Sequence, residues 1–198
     1  MLYMEVALEL KQSFNYKSFI ITFLCGFAAC LILGFLFFQA DIFIESSNKF
    51  ILLILSLAGA LVFSCMLYRS IIDSIIVLVA VFILNIVFFK TYLVSFIIRD
   101  IVLFCCLWLS IYLYKNWFFS TSGKYKFLRS FGLGIIAAIL LFTGGFFLIF
   151  INVPLERVSI ELIFQISMYY LRAGLMIGLG LGIGFDFADL LISKVNPG

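Results

Sequence analysis

Residues 50–89 read FILLILSLAGALVFSCMLYRSIIDSIIVLVAVFILNIVFF, and the only charges in that run are Arg69 and Asp73. One helix through all of it would extend about 60 Å at 1.5 Å per residue, twice the hydrocarbon thickness of a bilayer. The chain must therefore reverse near Arg69, which divides the run into two spans, Phe50 to Tyr68 and Ile71 to Phe89. Asp73 stands four residues after Arg69, within pairing reach on a helix face. The run lacks the period-two alternation of a lipid-facing barrel strand and is far longer than a strand needs. It reads as helix.

The rest of the chain has the same character. Of its 198 residues, 66% are apolar and only 12% charged, and the mean hydropathy is +1.28. Soluble domains carry roughly a quarter charged residues, so a globule of this composition in water would lack the polar groups to cover itself. A soluble, disordered or coiled-coil protein is disfavoured on this ground. Thirteen Lys and Arg against ten Asp and Glu give a net charge of +3, too weak and scattered for a nucleic-acid groove. Lipid is the solvent this surface demands.

Further spans follow on either side. The first 17 residues mix Glu5, Glu9, Lys11 and Lys17 with Leu2, Val6, Leu10 and Phe14 at four-residue spacing, which predicts a short amphipathic helix in the membrane interface. Ser18 to Phe38 is a first span, too long for a signal-peptide core and expected to stay. Val94 to Tyr114, Leu133 to Val153 and Ile163 to Leu191 complete a bundle of about six helices, with five if the fourth span is malformed. Glu156, Arg157 and Glu161 mark a short loop before the last, overlong span. The connections are too short to house a second domain, so residues 1–198 read as one all-α polytopic membrane unit.

Orientation follows from the loop charges. With both termini cytoplasmic, that side holds Lys11, Lys17, Arg69, Lys115, Lys124, Lys126, Arg129 and Lys194. The other holds Lys49, Lys90, Arg99 and Arg157, so the positive-inside bias supports this topology, in a bacterial inner or an organellar membrane.

Cys25, Cys30, Cys65, Cys105 and Cys106 all lie in apolar runs and read as small hydrophobes. The chain has no histidine and no CxxC, so no metal or cofactor is expected. Without a histidine base or an HExxH motif, no catalytic residues are assigned and an enzyme is not expected.

Three groups of residues are candidates for function. Gly174, Gly178 and Gly182 repeat every four residues in the last span, and Gly180 with Gly184 forms a second small-xxx-small pair. In water such glycines cost about 1 kcal/mol each against Ala, whereas in lipid they let another helix approach closely. Packing within the chain, a moving seam and an oligomer contact all fit this pattern. Arg99, Asp100, Glu161 and Arg172 all fall toward the outer side and are candidates for a polar vestibule taking a small anion or zwitterion. Snorkelling of Arg172 to the interface beside Tyr169 and Tyr170, or a structural ion pair, are the alternatives for that residue. Asp186 and Asp189, at the far end of the same helix, are candidate gating groups or mark its emergence into the cytoplasm.

These features point to a non-enzymatic membrane transport component. Its expected partners are membrane lipids and either further membrane subunits or copies of itself. A structural or assembly subunit of a larger membrane complex is the rival reading.

Overall fold

The computed structural model describes residues 16–38, 46–89, 94–117, 126–152 and 158–195. The amphipathic helix expected over residues 1–17 lies outside them except for Tyr16 and Lys17, and so do Lys124 and Arg157. Six helices follow one another among the described residues: α1 Tyr16–Phe38, α2 Ser46–Tyr68, α3 Ile71–Phe89, α4 Val94–Trp117, α5 Lys126–Asn152 and α6 Ile160–Val195. There is no strand among these residues. Five of the helices are long and apolar enough to cross a membrane, and the apolar part of α3 runs a little shorter, over Ile71–Val87. The protein is an all-α membrane helix bundle.

The reversal at Arg69 has a local cause. Ser70 accepts a hydrogen bond on Oγ from the Asp73 backbone N–H at 3.0 Å, capping the N-terminus of α3, and Asp73 adds negative charge in that first turn. Lys115 closes the other side of the turn by donating Nζ to the Met66 carbonyl, one of the last in α2. Ser159 caps α6 in the same way, accepting from Leu162 N–H at 3.1 Å. This cap starts α6 three residues before the expected Ile163, which moves Glu161 from the expected loop into the first turn of the helix.

α2 is enclosed on most sides, touching α1, α3, α4 and α6, while α6 lies between α1 and α5 and also meets α2. Phe63, Tyr114 and Phe185 bring α2, α4 and α6 together in one aromatic cluster, with ring centroids 6.1 and 5.5 Å apart. α3 sits at the edge. Ser74, Val81 and Asn85 face inward, whereas Ile72, Ile76, Ile83 and Val87 are exposed on its outer side. An apolar outer face of this kind is what acyl chains require of a helix.

Candidate functional site

The last helix contacts its neighbours at backbone distance. A Cβ on Gly174, Gly178 or Gly182 would stand 2.5–2.7 Å from Ala138 Cα, Gly134 Cα and Ser130 Cα of α5 respectively. One built on Gly180 or Gly184 would stand 2.7 Å from Cys30 Cα and 2.5 Å from Gly26 Cα of α1. The two glycine sets therefore form two seams on different neighbours, with α6 antiparallel to both. In lipid, helix association rests on such close van der Waals packing rather than on water exclusion. The Cys30 thiol adds a weak hydrogen bond across the α1 seam to the Ile177 carbonyl, 3.6 Å away.

α5 carries notches of its own that the sequence reading passed over. Leu179 of α6 fills the space beside Gly134, Cys106 of α4 that beside Gly144, and the Tyr170 ring that beside Gly145. The pairing of Gly144 with Gly145 in an apolar run was the available signal.

Polar groups gather at the end of the bundle where α3 and α5 finish and α4 and α6 begin. Arg99 donates Nε to Asp100 Oδ1 at 3.0 Å, and Asn85 of α3 donates Nδ2 to Asp100 Oδ2 at 2.7 Å. Asp100 is 0% exposed and the Arg99 side chain 18%. A carboxylate taken out of water needs this much compensation, because an unpaired buried charge is costly. Tyr169 and Tyr170, packed edge to face 5.3 Å apart, lie within electrostatic reach of Arg99. Beside them runs a narrow cleft bounded by Ile51 and Leu55 of α2, Arg99 and Leu103 of α4, Leu141 of α5 and the tyrosines with Ala173 of α6. Its interior space is about 10 Å3, room for roughly one water molecule.

Of the four vestibule candidates, the structure brings Arg99 and Asp100 together. Glu161 and Arg172 are exposed on α6, and neither lines the cleft. Asn85, which completes the Asp100 site, was missed. A lone amide in an otherwise apolar span was the sequence signal for it.

At the opposite end, Asp186 accepts a hydrogen bond from Ser130 Oγ of α5, directly beside the Gly182 contact. Asp189, one turn on, is half-buried. Trp108 Nε1 donates to Ser74 Oγ at 3.0 Å, a second polar link between α3 and α4. Ser74 Oγ in turn donates to the Ile71 carbonyl at 2.6 Å. α3 thus runs along α4 with one hydrogen bond near each end.

No known protein family, curated protein or solved structure matches the chain.

Proposed function

We propose that the protein is a non-enzymatic membrane transport component for a small polar solute, with the Arg99–Asp100–Asn85 cluster and its cleft as the solute site. The observation that carries this reading is the fully buried Asp100 carboxylate, balanced by Arg99 and Asn85 at the edge of a cleft. Ionisable groups inside a membrane protein are costly and are kept for ion or solute paths more often than for stability. The two glycine seams suit a transporter as well. Along them backbone meets backbone, so a shift of α6 against α1 or α5 would repack few side chains besides Leu179 and Tyr170. In this reading the cleft, with room for about one water, belongs to a closed state.

The topology that accompanies this function has six spans and both termini in the cytoplasm, in keeping with the loop charges. α3 counts as a span because its 19 residues cover about 28 Å and its hydrogen bonds to α4 lie near both ends. Asp186 and Asp189 then lie at the cytoplasmic mouth. There the bond from Ser130 to Asp186 is a candidate gate contact between α5 and α6. Membrane lipids surround the bundle, and other membrane subunits or further copies of the chain complete the working unit.

The smallness of the cleft also favours the second reading, a structural subunit that holds a larger membrane complex together. Purification in mild detergent followed by reconstitution separates the two. The transport reading expects the purified chain to carry labelled glycine or lactate across vesicle membranes faster than protein-free vesicles do. If neither solute moves and the chain leaves the membrane only with stoichiometric companions, the assembly reading replaces it.

A further inference from the structure

The cluster has a chemical property that narrows the solute class, and the argument rests on the site proposed above. The cleft wall is mostly aliphatic, with Ile51, Leu55, Leu103 and Leu141 beside the Tyr169 and Tyr170 rings, and among the described residues Arg99 is the cationic group that lines it. Guanidinium is the side chain best shaped to take a carboxylate through two parallel N–H donors. Arg99 holds Asp100 through Nε, so an incoming carboxylate that takes Nε and the neighbouring Nη as a parallel fork displaces Asp100 from it. Asp100, 0% exposed, becomes an uncompensated buried charge once Arg99 turns away. Its remaining contact, Asn85, serves either protonation state. The amide NH2 donates to a carboxylate, as here at 2.7 Å, and after a flip the amide oxygen accepts from a carboxylic acid O–H.

We propose that the cleft takes a small aliphatic monocarboxylate on Arg99, and that Asp100 takes up one proton as that carboxylate binds. The ion pair between Arg99 and Asp100 opens and a new one forms between Arg99 and the bound carboxylate. The proton enters from water onto an Asp100 oxygen, and the net charge of the site stays as it was. Among the described residues, the hydroxyls of Tyr169 and Tyr170 on α6 are the further titratable groups within electrostatic reach of this pair. α3 contributes the neutral Asn85, and α2 and α5 line the cleft with aliphatic groups. Anion and proton thus arrive together and leave together, which makes the site a symport site for a carboxylate.

The test is calorimetric titration of the full-length chain in detergent with butyrate, in two buffers of different ionisation enthalpy. The expected result is uptake of one proton per butyrate. Affinity should also weaken as the pH rises, over a range in which butyrate itself stays ionised. In Asp100→Asn both the proton uptake and the pH dependence should vanish while butyrate still binds. Butyrate binding to the natural chain with no proton taken up overturns the coupling, whether or not the variant folds. No butyrate binding overturns the proposal entirely. The transport reading fails separately: proton-linked binding without movement of glycine or lactate would sink it and leave this site standing. Movement of either solute, with proton-free butyrate binding, would do the reverse.

Discussion

α6 and α3 are both apolar helices, yet they are held in the bundle by opposite means. α6 meets α1 and α5 along stripes stripped of side chains, so backbone touches backbone over several turns. α3 has no such stripe. It packs against α2, is fastened to α4 by two hydrogen bonds, Asn85 to Asp100 and Trp108 to Ser74, and turns Ile72, Ile76 and Ile83 outward. Where water is absent there is no hydrophobic force between helices, leaving close packing and polar contacts as the available attractions. The first is spread over many atoms and tolerates no added volume. The second is concentrated in a few atoms and fails when one of them is removed.

The sharpest way to break this contrast is to add volume to a seam. Gly178→Leu places a side chain where the Leu133 carbonyl oxygen lies 2.6 Å from a bare Cβ, and backbone cannot swing aside as a side chain does. A loss of about 3 kcal/mol, read by denaturation in detergent, is expected. Ile183→Leu, on an exposed position of the same helix, should leave stability unchanged. Equal stability of the two variants would refute the backbone seam.

Removing a polar fastening should cost less. Asn85→Leu deletes the donor to Asp100 Oδ2 at almost constant volume, with an expected loss of about 1.5–3 kcal/mol, the range for hydrogen bonds to charged groups. Labelling of a cysteine placed at the end of α3 should quicken in this variant as the helix lifts from α4. If stability and labelling are both unmoved, Asn85 is not the fastening. Trp108→Phe removes the neutral bond to Ser74 and trims the ring stacked on Tyr112; the bond itself should account for about 0.6 kcal/mol of the loss, the typical value for such bonds between membrane helices. A larger loss than that of Asn85→Leu would invert the ranking.

The smallest effect distinguishes the glycines from one another. A Cβ on Gly59 of α2 would stand 3.2 Å from the Leu181 Cδ1 methyl, a side-chain end that has to give by only a few tenths of an ångström, unlike the backbone facing Gly178. Gly59→Ala should therefore change stability by less than about 0.5 kcal/mol. A collapse on the scale of Gly178→Leu would mean that proximity, and not backbone contact, governs these sites.

The helices were legible because long apolar runs have one solution in lipid. Ile71 to Phe89 was delimited to the residue, since Arg69 and Ser70 stop one helix and Ser70 caps the next. The ends Phe38 and Tyr68 and the start Val94 also fell where expected. The starts of α1, α2, α5 and α6 and the ends of α4 and α6 moved outward, most at α5, which begins at Lys126 instead of Leu133. A hydropathy pattern locates the hydrocarbon, whereas a helix continues until its hydrogen bonding fails. The glycine spacing announced a packing surface. It gave no sign that Gly174, Gly178 and Gly182 turn to α5 while Gly180 and Gly184 turn to α1.

The site was less legible. Arg99 and Asp100 are adjacent in the chain and were both vestibule candidates, but Asn85 is fifteen residues away on another helix. Leu179 and Asp186, which belong to neither glycine series, also meet α5, Leu179 at Gly134 and Asp186 at Ser130. The sequence alone determined the solvent, the helical class and which faces are smooth, because these follow from composition and from the fixed geometry of one helix. Which smooth face meets which neighbour, and which amide reaches the Asp100 carboxylate, was decided by the tertiary structure. Both depend on how α6 and α3 are rotated against helices remote in the chain, and no periodicity within one helix encodes that rotation.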